Sequence, residues 1–101
     1  MKKINIVSIK DIEKIGVNNL LIDIRDREKY LNGHIPNAIH KTEAELYKSI
    51  EILRKYEKVF IYCDYGNNGM KVVRYLLDNY NITNVYNIIG GYNVYRGKIE
   101  K

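Results

Sequence analysis

The residue best suited to chemistry in this chain is its single cysteine, Cys63. It follows a short apolar run, 59–62, and precedes a polar loop that carries Gly66 and Gly69. A thiol acts as a nucleophile only in its thiolate form. The pattern after the loop predicts an amphipathic helix over 70–80. The positive end of that helix and the backbone N–H groups of a glycine-bearing loop would both favour a thiolate.

Two interpretations of Cys63 stay open on these grounds. A nest of inward-turned N–H groups would hold an anionic substrate or a bound persulfide, which makes the thiol a catalytic nucleophile. A free cysteine at the end of a buried strand is also a common packing residue. Asp64 weighs slightly against catalysis, because a neighbouring carboxylate disfavours the thiolate.

The elements that must position this thiol follow from the apolar pattern, which alternates strands with helices. Such alternation is typical of an α/β fold, with an open, mainly parallel sheet flanked by helices on both faces. The carboxyl ends of parallel strands line one edge of the sheet, which would bring Asp23, Arg25 and Cys63 together there. The five predicted strands are 4–7, 20–24, 38–40, 58–62 and 84–88.

Capping residues and apolar residues three or four positions apart predict the helices. Thr42 and Glu45 form a capping box, in which each side chain accepts a hydrogen bond from the backbone N–H of the other residue. Gly16 and Asn81 are expected to end two of the helices. The predicted helices are about 8–15, 26–31, 42–56, 70–80 and 92–99.

Four segments of the sequence resemble the rhodanese family, and they span most of the chain. Residues 21–25, followed by Tyr30 and by the Gly-His-Ile-Pro-Asn-Ala stretch at 33–38, resemble the family's Asp-x-Arg segment and its Gly-His-Ile-Pro-x-Ala stretch. The strand and loop at 59–66 resemble its active-site segment. The following helix, with Val73, Tyr75 and Leu76, and the Gly-Gly segment at 89–92 correspond in position.

This resemblance implies a single rhodanese-like domain over residues 1–101, with a mainly parallel sheet of five strands. It implies a sulfurtransferase in which Cys63 attacks the outer sulfur of thiosulfate, a persulfide or a polysulfide. The resulting cysteine persulfide would pass its sulfur to a thiol or to cyanide. The implied substrate-binding loop is Asp64, Tyr65, Gly66, Asn67, Asn68 and Gly69. The residues expected near the site, in a structural or substrate-facing role, are Asp23, Arg25 and His34.

The loop departs from the family pattern at two places. Asn68, followed by Gly69, stands where many members carry Arg followed by Ser or Thr. Asp64 and Tyr65 stand where many thiosulfate-using members carry a basic residue. Both departures remove positive charge, which argues against free thiosulfate as the best donor. A persulfide carried by a small thiol or by a protein is the alternative.

Two other functions remain for comparison. A non-catalytic rhodanese-like module that binds a partner or regulates would tolerate loss of the thiol, and the Asp64 and Asn68 departures leave it open. Phosphatases and arsenate reductases of this fold use a loop one residue longer that ends in Arg. The first Arg after Cys63 is Arg74, well inside the predicted helix, so a cation for phosphoryl chemistry is missing.

The remaining charged residues favour structural roles. Arg25 is expected to pair with Glu28 or Glu45 rather than to clamp substrate, and His34 to cap or bridge backbone beside Pro36. Two separated histidines and one cysteine do not form a zinc-binding set. We therefore expect neither a metal nor a cofactor.

Composition limits the partners. The 101 residues fit one domain, and 46% hydrophobic with 29% charged residues is an ordinary globular balance. The net charge is +5, but the basic residues are dispersed among acids, so no nucleic-acid partner is expected. We expect no membrane span and no signal peptide, and one cysteine suits the cytoplasm. The expected partners are a small sulfur donor and a thiol acceptor, with a protein as a further candidate; oligomeric state stays open.

Overall fold

The computed structural model describes residues 2–101, in which five parallel strands form one sheet. The strand order is β1-β5-β4-β2-β3. This confirms the predicted open α/β sheet, and the predicted strand bounds agree with the observed ones to within one residue at each end. The strands are β1 (Asn5–Val7), β2 (Asn19–Asp23), β3 (Ile39–His40), β4 (Lys58–Tyr62) and β5 (Val85–Ile88).

Both faces of the sheet are buried. Successive side chains of a strand point to opposite faces, so β2 and β4 each supply two apolar surfaces. Ile22 and Ile61 face one hydrophobic cluster, and Leu21 and Phe60 face the other. The near-continuous apolar runs that predicted these strands therefore reflect burial on both sides.

The helices cover these two faces. The longest, α4, has 14 residues, and its buried stripe contains the predicted Val72, Val73, Leu76 and Leu77. It ends where Asn81 adopts a left-handed conformation, as predicted. The α-helices are α1 (Arg27–Asn32), α2 (Glu43–Tyr47), α3 (Ile50–Arg54) and α4 (Asn67–Tyr80), and 3₁₀ helices span Ile9–Lys14 and Gly91–Val94.

Within residues 2–101, no helix has both the length and the apolar character to cross a bilayer.

The single helix predicted over 42–56 is wrong, because the chain forms α2 and α3 there. The Thr42–Glu45 capping box is present and opens α2. At Ser49, however, the hydroxyl donates a 2.8 Å hydrogen bond to the carbonyl of Glu45, while the Ser49 N–H bonds to the carbonyl of Leu46. The serine side chain thus takes the carbonyl that its own N–H would bind in a continuous α-helix.

The helix predicted over 92–99 is also wrong, since only the 3₁₀ helix Gly91–Val94 forms. Beyond it the chain pairs with a distant segment: His34 and Glu100 exchange two backbone hydrogen bonds, each of 2.9 Å, in an antiparallel bridge. Gly97 weakens the helical tendency, and this long-range pairing overrides what remains of it.

A buried ion pair lies at the carboxyl edge of the sheet. Arg25 Nη2 is 2.8 Å from Asp23 Oδ2, and Asp23 is fully buried. Burial opposes the charged guanidinium, but the hydrogen bonds and the charge of Asp23 outweigh it, so the pKa of Arg25 rises above its ordinary value. The predicted structural ion pair is confirmed, but its predicted partners, Glu28 and Glu45, are wrong. Asp23 lies two residues away on the same strand edge.

Replacing Arg25 by Met is expected to destabilise the fold strongly, because it leaves the carboxylate of Asp23 buried without its cation. We expect a loss of about 3–5 kcal/mol in the free energy of unfolding. The matched control is Arg54→Met, since Arg54 forms an exposed pair with Glu51 at 3.5 Å and should lose less than about 1 kcal/mol. Urea denaturation followed by circular dichroism measures both, and equal losses would contradict a structural role for Arg25.

Candidate active site

The sulfur of Cys63 lies at the end of β4 and accepts two backbone hydrogen bonds. Gly66 N lies 3.0 Å from the Sγ atom and Gly69 N lies 3.3 Å from it. The cysteine itself is only 3% exposed. Hydrogen bonds from backbone N–H groups favour a negatively charged sulfur, so the loop geometry suits a thiolate or a persulfide anion.

The loop turns its N–H groups inward because Gly66 adopts a conformation that other residues rarely take. Its φ is +97°, in the left-handed region, and it serves as the N-cap of α4. A Cβ atom at this position would stand 2.9 Å from the backbone nitrogen of Gly90. Glycine is thus required by both the dihedral angle and the space. Helix α4 begins at Asn67, three residues earlier than predicted, so its positive end lies beside the sulfur.

The turn after β5 fixes the start of the loop. Tyr92 N donates a 2.8 Å hydrogen bond to the carbonyl of Cys63, and Asn93 N donates one of 2.9 Å to the carbonyl of Asp64. A Cβ atom on Gly91 would lie 2.3 Å from the Cys63 carbonyl oxygen. The Gly90–Gly91 pair, predicted as a simple tight turn, therefore also lets two segments approach closely.

A shallow cavity of about 200 Å³ opens at the sulfur. The residues that line it, all in the described part of the chain, include no lysine or arginine; they are Cys63, Asp64, Tyr65, Asn67 and Asn68. Five of the seven residues predicted for the nucleophile and loop thus line the opening. The other two, Gly66 and Gly69, donate their backbone N–H groups to the sulfur.

A cation that the sequence did not reveal lies beside this opening. Lys29 of α1 places its Nζ atom 3.0 Å from Asp64 Oδ2, and both side chains are partly exposed to solvent. The hydrogen bond and the charge of Asp64 raise the pKa of Lys29 above its ordinary value. The ammonium group thus offsets the carboxylate that follows the cysteine. The contact joins residues 35 positions apart, so no local pattern predicts it.

Asp23, Arg25 and His34 are buried and do not line the cavity. The Arg25 guanidinium is 3.8 Å from the centre of the Tyr92 ring, and it donates a 2.7 Å hydrogen bond to the carbonyl of Gly33. The His34 ring hydrogen-bonds through Nδ1 to a backbone carbonyl at 2.8 Å, in agreement with its predicted bridging role. Arg25 therefore reaches the site through Tyr92, whose N–H group binds the Cys63 carbonyl, and Asp23 reaches it through Arg25.

Tyr62, also missed as a site-supporting residue, links the cysteine strand to the His-Ile-Pro segment. Its side chain is fully buried, and its hydroxyl accepts a 3.1 Å hydrogen bond from Ile35 N. Burial, and then the charge of Asp23, raise the pKa of Tyr62 far above its ordinary value, so the hydroxyl stays neutral. This hydrogen bond joins residues 27 positions apart, and it holds the His-Ile-Pro segment next to the strand that leads to Cys63.

Metal binding would require a cluster of suitable ligands. Among the described residues, no three His, Cys, Asp or Glu side chains come together in a group that could hold a metal ion.

Comparisons with known proteins agree with this architecture. A model of the rhodanese-like domain family matches residues 9–98. The chain is 31% identical over 77 residues to the thiosulfate sulfurtransferase GlpE of Coxiella burnetii, an alignment that covers 76% of this chain and 71% of that protein. Among solved structures, SSP1007 from Staphylococcus saprophyticus has a TM-score of 0.80 and 20% identity, over 96% of this chain and 99% of that one. A rhodanese-like domain protein from Staphylococcus aureus has a TM-score of 0.76 and 25% identity, over 95% and 96%.

The charges beside the cavity should tune the reactivity of Cys63 in opposite directions. Lys29→Met leaves the carboxylate of Asp64 unpaired, and we expect about threefold slower alkylation of Cys63 by iodoacetamide at pH 7. Asp64→Asn removes the carboxylate and leaves the ammonium group, and we expect alkylation to become about threefold faster.

The matched control for this pair of variants is Arg54→Met. It removes one positive charge near the carbonyl of Tyr80, at the opposite end of α4 from the loop. Its alkylation rate should equal that of the wild type. Rates that move in the same direction in Lys29→Met and Asp64→Asn would contradict the electrostatic role of the pair.

Proposed function

Because the chain belongs to the rhodanese-like family, we propose that it is a sulfurtransferase that carries sulfur as a persulfide on Cys63. The observation that carries this proposal is the pair of N–H groups, from Gly66 and Gly69, that donate to the cysteine sulfur. They stabilise negative charge at the atom that must attack, and they need no reorganisation when it does. The named activity of the Coxiella burnetii relative supports the same chemistry.

In the first half of the proposed cycle, the Cys63 thiolate attacks the outer, sulfane sulfur of the donor. A new S–S bond forms, and the S–S bond of the donor breaks. The electron pair leaves with the rest of the donor, as a thiolate from a persulfide or as sulfite from thiosulfate. The negative charge moves to the outer sulfur of the Cys63 persulfide, at the mouth of the cavity.

In the second half, the acceptor attacks that outer sulfur. A thiolate acceptor forms a new persulfide, and cyanide forms thiocyanate. The S–S bond to Cys63 breaks with its electron pair, which restores the cysteine thiolate and the hydrogen bonds from Gly66 and Gly69. The transferred sulfur enters and leaves with the same electron count, so this cycle needs no redox cofactor and no metal.

The charge around the mouth favours a donor with little negative charge. The residues that line the cavity, as far as the structure describes them, supply no cation, and the neighbouring Lys29 is paired with Asp64. Thiosulfate carries two negative charges and gains little attraction here, whereas a persulfide terminus carries one. We therefore propose a persulfide as the preferred donor, with thiosulfate and inorganic polysulfide, which are both dianions, as weaker ones, and a small thiol or a protein thiol as acceptor.

The biological setting proposed for this activity is simple. Residues 1–101 act as one rhodanese-like domain, and a reducing cytoplasm keeps the single thiol available. The roles proposed for the loop are those expected from the sequence: Cys63 as nucleophile and residues 64–69 as its cradle.

Intact-mass spectrometry tests the proposed function directly. After incubation with glutathione persulfide or inorganic polysulfide, we expect the protein to gain the mass of one sulfur atom, located on Cys63 by peptide mapping. Thiosulfate should load the cysteine more slowly than glutathione persulfide does, because of the charge at the mouth. Cyanide or a reducing thiol should remove the added sulfur and, with cyanide, yield thiocyanate.

Cys63→Ser is the matched control, because it keeps the shape of the loop and removes the nucleophile. It should gain no sulfur from any of the three donors. If the wild-type protein also gains none, the sulfurtransferase proposal fails. Partner binding that survives in Cys63→Ser would then support the non-catalytic module.

A further inference from the structure

A buried amide lies directly behind the cysteine loop. Asn87 of β5 is only 1% exposed, and its Nδ2 atom donates a 3.2 Å hydrogen bond to the carbonyl of Gly66. Its Oδ1 atom is also buried and has no hydrogen-bond partner among the described residues. A buried acceptor without a partner is disfavoured, so its position calls for a physical explanation.

The oxygen of this amide packs against Gly69. A Cβ atom built on Gly69 would lie 2.1 Å from Asn87 Oδ1 and 3.7 Å from Cys63 Sγ. The hydrogen that occupies that direction on the glycine Cα atom therefore points toward the amide oxygen, as in a weak Cα–H···O contact. One side chain thus contacts both glycines whose N–H groups donate to the sulfur.

We propose that Asn87 is a positioning residue that holds the N–H groups of Gly66 and Gly69 on the sulfur of Cys63, a role that rests on the proposed function for its use in sulfur transfer. Its two contacts, at Nδ2 and at Oδ1, fix both ends of the turn that carries these N–H groups. An apolar side chain at position 87 cannot donate to the Gly66 carbonyl. The turn would then relax, and the sulfur would lose part of its hydrogen bonding.

The charged groups around the sulfur do not change in this comparison. Asp64 and Lys29 form an ion pair at the mouth, while Asp23 and Arg25 form a buried pair whose guanidinium contacts the rings of Tyr62 and Tyr92. The tyrosines on the segments around the sulfur are Tyr62, Tyr65 and Tyr92. In α4, residues 67–70 are uncharged, and Lys71 is the first charged residue. A neutral replacement of Asn87 leaves all of these in place, so a change in thiol reactivity would report on the geometry of the loop.

The test is the rate of Cys63 alkylation by iodoacetamide as a function of pH. For Asn87→Leu we expect about tenfold slower alkylation at pH 7 and a pH midpoint about one unit higher than in the wild type, because hydrogen bonds to the thiolate are weakened. The readout needs no sulfur donor, so it stays informative even if the protein transfers no sulfur.

Asn84→Leu is the matched control. Asn84 is a partly buried asparagine next to the start of the same strand, and its Nδ2 atom donates to the carbonyls of Leu53 and Tyr56, away from the loop. It should lower the melting temperature and leave the alkylation profile unchanged. An unchanged profile in Asn87→Leu, or an equal shift in Asn84→Leu, would overturn the positioning role.

A double-mutant cycle tests the contact with Gly69 without relying on the folding of Asn87→Leu. Gly69→Ala keeps the N–H group but places a methyl group against the amide oxygen. We expect it to slow alkylation at least tenfold in the wild-type background and much less in the Asn87→Ala background, where the space is open. Equal effects of Gly69→Ala in the two backgrounds would show that the amide does not set the position of the loop.

Discussion

The guanidinium of Arg25 is the charge around which the carboxyl edge of the sheet is built. A buried cation is tolerated only when its donors are satisfied, and those of Arg25 reach Asp23 and the carbonyl of Gly33. The guanidinium lies over the ring of Tyr92, and its central carbon, Cζ, is 5.7 Å from the centre of the Tyr62 ring. These contacts join β2, the segment after α1, the end of β4 and the turn after β5. The position of the Cys63 carbonyl, held by Tyr92 N, follows from this arrangement.

The site itself is built mostly from backbone. Two glycine N–H groups face the sulfur, and the charges of Asp64 and Lys29 stay at the rim. A backbone cradle does not discriminate among anions by charge as an arginine does, because it presents partial charges at fixed positions. The selectivity of such a site therefore depends on the rim, and the rim can change by surface substitutions that leave the fold intact.

Much of this architecture is predictable because it is local or periodic. The strands are apolar runs, and the Cys63 loop closes within six residues, so both are visible in the sequence. The helix break at Ser49 depends on one hydroxyl that takes a carbonyl, which periodicity does not report. The contacts of Lys29 and Asn87 span 35 and 21 residues, and their partners are defined only once the sheet has formed. A polar residue between Tyr86 and Ile88 in an apolar strand was the one available signal for Asn87.

The near-complete burial of Cys63 determines which sulfur atom a reaction partner contacts. The cysteine is 3% exposed, whereas an S–S bond would carry a second sulfur about 2 Å farther out, into the open cavity. In the proposed cycle the exposed atom is then the transferred sulfur, and the Sγ atom of Cys63 stays buried. Before loading, Cys63 would react only with a donor whose terminal sulfur enters the cavity, whereas after loading the outer sulfur would stand in the cavity itself. Loading would thus give an acceptor a reactive sulfur atom in the cavity, which the unloaded protein does not present.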